Sequence, residues 1–296
     1  MKKPVNTFLR LVLHSNLIIA FAAVLLCLAS EVQAGILLRF QSFHILVFAA
    51  ALSEYSLHRL LKYYSLVRDG RKKRYSWLFS NQPLAWLFFF IPLTTFAVSF
   101  FFVDTPVKWI IMGTGAMALM YSMPVKGVVG FLSLRRIPFV KTFWVALVWS
   151  LVTVIVPLTG NSGGIPAGKI SWIFIERLLL IFPLAMLFDI RDTDSDRKDG
   201  IRTIPVVFGE KMTRMVVVIF VFVFIFIYPV TAGDFVLHSH FLPAILWSLP
   251  VLWFIYRKPD SENPLYYSLL LDGSLILYGF YVIAGGFIFN HFNNFS

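Results

Sequence analysis

The apolar residues of this chain come in blocks too long for the core of a soluble domain. "WLFFFIPLTTFAVSFFFV" (86–103) and "MVVVIFVFVFIFIYPV" (215–230) are two of them. A helix needs about 20 mostly apolar residues to cross the hydrocarbon core of a bilayer. Only helices and closed barrels satisfy their backbone there, and these runs lack the apolar–polar alternation of barrel strands. Charged residues make up 14% of the 296, against roughly 25% in ordinary soluble domains. The fold class expected is therefore an all-α, multi-pass membrane protein. About nine spans are placed at 12–30, 36–58, 83–103, 107–123, 139–158, 170–188, 215–232, 241–256 and 265–289. No soluble domain or long linker intervenes, so 1–296 reads as one polytopic transmembrane domain.

The formal net charge of +11 has a topological reading. Lys and Arg gather at the N-terminus and after spans 2, 4, 6 and 8: Arg59, Lys62 and Arg71–Arg74, then Lys126, Arg135, Arg136 and Lys141. Arg191, Arg197, Arg202, Lys211 and Arg214 follow, then Arg257 and Lys258. Basic residues collect in cytoplasmic loops. The N-terminus is thus placed in the cytoplasm, with the protein expected in the cell (inner) membrane and in contact with its lipid. No basic soluble domain exists to bind nucleic acid. Residues 1–34 also have the basic start, apolar run and "VQA" of a signal peptide, and cleavage there would leave eight spans. Cys27, the one cysteine, excludes an internal disulfide and a cysteine-based metal cluster.

One stretch departs from the apolar pattern. Between Asp189 and Asp199 lie five aspartates, a third of the chain's 15 acidic residues. Asp189, Asp192, Asp196 and Asp199 are spaced i, i+3, i+7, i+10 and fall within one arc of a helix, with Asp194 off that arc. Carboxylates gathered in this way repel unless a cation sits among them, and their oxygens suit Mg2+. The alternative is a solvated loop of ion-paired charges. A calcium loop is excluded, because Arg197 and Thr203 stand where Gly and Glu are needed. Glu176, Arg177 and Asp272 fall inside spans, where ionisable groups point to function by default. Glu176 and Arg177 are adjacent, so each needs a partner on a different helix. His14 and His44 read as interface histidines.

"DIRDTDSDRKDGIRTIPVVFG" (189–209) resembles the second aspartate-rich motif of the UbiA superfamily of intramembrane prenyltransferases, through Asp189, Asp192, Asp196, Gly200, Thr203, Pro205 and Gly209. "YSMP" (121–124), with Lys126 behind it, resembles a second family segment. The resemblance implies a ring of helices around a central cavity. It implies transfer of a prenyl group from a prenyl diphosphate to a hydrophobic, aromatic or lipid acceptor. Mg2+ would be held by Asp189, Asp192 and Asp196, which would also be the catalytic residues. The family's first motif is not intact: "ALSEYSLHRLLKYYS" (51–65) keeps only Glu54 as an acid, followed by His58, Arg59 and Lys62. Substrate contacts are accordingly expected from Glu54, His58, Arg59, Lys62, Tyr121, Lys126, Lys141, Arg197, Arg202 and Lys211. The degenerate first motif raises an alternative: a catalytically divergent or inactive UbiA-fold membrane protein acting in lipid binding or assembly.

Overall fold

The computed structural model describes residues 12, 15–68, 81–122, 137, 139–161, 164–231, 237–257 and 265–293. They hold nine helical segments and no strand. These are α1 (Leu17–Ala34), α2 (Ser42–Arg68), α3 (Gln82–Phe100), α4 (Thr105–Ser122) and α5 (Val140–Gly160, with a π turn over Leu151–Ile155). They continue as α6 (Ala167–Lys198), α7 (Ile204–Thr231), α8 (Leu237–Arg257) and α9 (a π segment Leu265–Asp272 running into Gly273–Asn293). Each overlaps one of the nine apolar blocks. By length and composition alone, α1, α3, α5 and the Leu269–Phe287 part of α9 are long and apolar enough to cross a membrane.

The outer surface is apolar, as lipid requires. Phe101, Phe102, Trp109 and Phe226 are all exposed. Inside, α1 packs on α2, α5, α6 and α9; α6 packs on α5 and α7; α8 packs on α7 and α9. The α1–α9 contact joins the two ends of the helical series, and it depends on small residues. A Cβ on Gly279 would lie 2.9 Å from Leu25 Cβ and 3.1 Å from its backbone, and one on Gly286 would lie 2.4 Å from Val32 Cγ1. Small residues let helix backbones approach closely where lipid gives no hydrophobic drive for association. Leu26, Phe224, Trp247, Phe254 and Tyr278 fill the centre of the main core.

The run 17–34, with its resemblance to a signal peptide, is part of this core: Ala20, Ala22, Leu26, Cys27 and Glu31 are buried. Glu31 accepts from Asn161 Nδ2 at 2.8 Å and lies 3.0 Å from His44 Nε2, so α1 is tied to the α2 and α5 ends by buried polar contacts. His44 Nδ1 accepts from the Gln41 backbone N–H at 3.0 Å, which leaves Nε2 to donate to Glu31.

Three helices run about ten residues beyond their apolar blocks, α7 at its start and α2 and α6 at their ends. α2 continues to Arg68, and α6 continues ten residues past position 188, so the aspartate run is helix rather than loop. Nothing between 189 and 198 breaks a helix; the first breaker is Gly200.

Candidate active site

The last three turns of α6 set the site. Asp189, Asp192 and Asp196 are buried, while Asp194 is 92% exposed at its side chain. The i, i+3, i+7 arc is therefore the face turned inward. Asp199 leaves that arc: it is the exposed cap residue after Lys198, so the expected fourth carboxylate does not join the others.

The stretch after the aspartates is a bracket. Gly200, at φ 71°, ends α6 in the left-handed conformation. The Ile201 N–H donates to Asp196 O at 2.8 Å and the Gly200 N–H to Arg197 O at 3.3 Å, a Schellman closure that a side-chain-bearing residue would strain. Thr203 is buried, and its carbonyl accepts the Val207 N–H at 3.1 Å to start α7. Pro205 sits in that first turn, where no N–H is required. The same connection anchors α5: the Phe139 N–H donates to Arg202 O at 3.0 Å, and the Phe139 and Phe208 rings stack at 5.7 Å.

That anchor puts the first turn of α5 beside the aspartates. Lys141 Nζ lies 2.8 Å from Asp189 Oδ1 and 2.6 Å from Asp196 Oδ2. Thr142 Oγ1 donates to the other Asp189 oxygen at 2.6 Å. Asp192 accepts from Arg191 Nε at 3.1 Å, and the Arg191 guanidinium lies 4.8 Å from the Phe188 ring and 5.0 Å from the Tyr267 ring. Burial pushes the Asp196 carboxyl above the usual carboxylate range, and the Lys141 ammonium opposes that rise.

The α2 residues approach from the opposite side. Glu54, His58 and Arg59 are partly buried, and the His58 ring stacks on Tyr121 of α4 at 6.4 Å. Tyr121 is within electrostatic reach of Lys141, and Arg59 and Arg191 both act on Asp272 of α9. Below them Trp149 Nε1 donates to Tyr55 Oη at 3.0 Å. His58 and Arg59 of α2 are thus linked, through Tyr121 of α4 and Asp272 of α9, to Lys141 and Arg191 beside the aspartates.

The model of the UbiA prenyltransferase family matches residues 17–271. The chain belongs to the UbiA prenyltransferase family. Solved structures agree on the fold. A UbiA homolog from Archaeoglobus fulgidus bound to GPP and Mg2+ is 17% identical, with a TM-score of 0.56 over 92% of this chain and 99% of that one. The same homolog bound to DMAPP and Mg2+ gives 18% identity and a TM-score of 0.55 over 91% and 98%. The apo structure of a UbiA homolog from Aeropyrum pernix K1 gives 14% identity and a TM-score of 0.60 over 92% and 98%. No curated protein matches the sequence. As a member of this family, the protein is an integral membrane protein of UbiA fold.

Magnesium on the three aspartates does not fit the arrangement found here. Lys141 holds Asp189 Oδ1 and Asp196 Oδ2, Thr142 holds the second Asp189 oxygen, and Arg191 holds Asp192. Among the described residues no three His, Cys, Asp or Glu side chains converge as a metal site.

Lys141 makes contacts of its own among the aspartates. Expected as a diphosphate contact, it is buried, with its ammonium turned into the aspartates. Arg197, Arg202 and Lys211 lie on the surface. All three are exposed, and Arg197 lies 3.9 Å from the equally exposed Asp194 on the outer side of α6. Lys126, Arg71–Arg74, Arg135 and Arg136 lie outside the described residues, as does the side chain of Lys62.

Thr142, Tyr267, Tyr55 and Trp149 carry no local sequence signal. Their place comes from packing across 47 residues for Thr142–Asp189 and 94 for Tyr55–Trp149.

Proposed function

We propose that this protein is an intramembrane prenyltransferase that moves a prenyl group from a prenyl diphosphate to a hydrophobic acceptor. The observation that carries the reading is the convergence of the α6 aspartates with the cationic end of α2 in a member of this family. The fold neighbours bound to GPP and DMAPP supply the substrate class. We place this end of the bundle on the cytoplasmic side, following the basic residues that cluster there.

In this reading the diphosphate head is held by Arg59 and Lys62. Arg and Lys neutralise phosphate oxygens well, and Arg does so with a planar fork of donors. Cleavage of the allylic C–O bond gives diphosphate and an allylic cation. The positive charges of Arg59 and Lys62 stabilise the first product as it forms. The cation is held among aromatic side chains such as Tyr55, Trp149 and Tyr121, whose ring faces favour positive charge and whose surroundings exclude water. The acceptor's nucleophilic atom then forms the new bond to the prenyl carbon and gives up its proton. No step is derived through a bound metal.

The test is diphosphate release by the purified protein from labelled prenyl diphosphates, with and without Mg2+. Release is expected. Its absence with every prenyl diphosphate, in both conditions, overturns the reading.

A second reading is a UbiA-fold protein that binds lipid or assists assembly without transfer. The internal neutralisation of all three aspartates by Lys141 and Arg191 favours it. It expects co-purified isoprenoid lipid, detected by mass spectrometry, with no diphosphate release, and an Asp192→Asn variant that keeps full binding.

A further inference from the structure

We propose that Lys141 is the resident cation of the aspartate cluster, a tethered ammonium on the carboxylate oxygens that a divalent cation would need. The cluster therefore binds no divalent metal while Lys141 is in place. The proposal concerns binding, and it stands or falls separately from the transferase reading above.

Three features carry it. The first is geometry. One Nζ reaches Asp189 Oδ1 and Asp196 Oδ2 at 2.8 and 2.6 Å, so two carboxylates seven residues apart on α6 converge on a single cation. At these separations the bonds are charge-assisted and short.

The second is the position of Lys141 in its own helix. It is the second residue of α5, in the first turn, and this is the end where the helix dipole disfavours a cation. It is also only 5% exposed. Neither helix preference nor solvation accounts for an ammonium here, so the carboxylates do.

The third is what displacement would take from this buried ammonium. A divalent ion taking these oxygens would strip a buried lysine charge of its two short carboxylate bonds. Thr142 further fixes the remaining Asp189 oxygen at 2.6 Å, so Asp189 cannot rotate to offer a fresh one without losing that bond. Asp192 is held by Arg191 through Oδ1 and Oδ2 at 3.1 and 3.4 Å. The three carboxylates are therefore served by two side-chain cations of the chain itself.

The measurement is Mn2+ uptake by the purified full-length protein in detergent, followed by the loss of the free-ion EPR signal. The quantity read is the uptake that Asp196→Asn abolishes. For the wild-type protein none is expected. For Lys141→Met, one Mn2+ per chain is expected, at least about tenfold tighter than any wild-type uptake, because one unit charge is removed from beside the ligand oxygens. The double variant Lys141→Met/Asp196→Asn loses it again. Asp196-dependent uptake by the wild-type protein overturns the proposal. So does a folded, monodisperse Lys141→Met protein that gains no uptake over the double variant. Should Lys141→Met fail to fold, the wild-type measurement decides alone: Asp196-dependent uptake refutes the proposal and its absence supports it.

Discussion

α6 carries two buried polar clusters, and they are built on different principles. One is the aspartate group at its C-terminal end. The other is Glu176 and Arg177, roughly 18 Å earlier along the same helix at 1.5 Å per residue. Arg177 donates to Leu26 O and Ser30 Oγ at 3.1 Å each, and to Gln33 Oε1 at 3.5 Å. Glu176 accepts from Gln33 Nε2 at 2.5 Å and from the Tyr278 hydroxyl. Each charge is thus met by neutral dipoles of α1 and α9, and the effect is to bolt three helices together. The aspartates are met by ammonium and guanidinium groups instead. Neutral partners are bound in fixed directions, whereas charge partners can be exchanged for another charge. The first cluster reads as structure and the second as chemistry.

The sharpest way to break this contrast is Arg177→Leu. It strips the α1 contacts and leaves Glu176 buried without its neighbouring positive charge, so a loss of about 3–5 kcal/mol is expected. Thermal unfolding in detergent checks it, and a variant as stable as wild type would mean the network bolts nothing. Asp192→Asn is the converse. It keeps the shape beside Arg191 while removing the charge that holds that guanidinium, so diphosphate release is expected to fall about tenfold, with a stability change near 1 kcal/mol. A fall in stability without a fall in turnover would move the aspartates into the structural class. Next in size is Gly279→Leu, where the new side chain meets Leu25 side chain and backbone at 2.9–3.1 Å. Overpacking there is expected to cost about 1–3 kcal/mol, read as a lower unfolding temperature. Unchanged stability would show that α9 can withdraw from α1 without disturbing the Tyr278–Glu176 bond.

The two clusters were also unequally legible. The nine helical segments follow from apolar blocks, because lipid leaves a chain no other way to satisfy its backbone. The inward arc of Asp189, Asp192 and Asp196 follows from the helical period, which acts within one element. What completes each cluster lies on other elements. Lys141 meets Asp196 across 55 residues of sequence, Gln33 meets Glu176 across 143, and Tyr278 meets it across 102. Adjacent Glu176 and Arg177 point about 100° apart, yet both bond Gln33 of α1, and nothing local names Gln33, Ser30 or Tyr278. Lys141 lies beside the motif, and its partners there are Asp189 and Asp196. A basic residue near a phosphate-type motif looks the same in sequence whether it faces the ligand or the carboxylates.

Arg197 tests the boundary of the aspartate cluster with the smallest expected effect. It is one residue from Asp196, which is fully buried, yet its own side chain is 63% exposed and its nearest acid is the 92% exposed Asp194 at 3.9 Å. A helix turns about 100° per residue, so the neighbour of an inward aspartate is carried towards the outer face. Exposed i, i+3 pairs of this kind contribute little, because water screens the charges and long side chains lose freedom in holding the pair. Arg197→Ala is therefore expected to change stability by less than about 0.5 kcal/mol and diphosphate release by less than about twofold. A KM for the prenyl diphosphate raised about tenfold with kcat unchanged would put Arg197 on the diphosphate after all. That result would widen the cluster to both faces of α6 and blur its distinction from the Glu176–Arg177 network, which bonds α1 and α9.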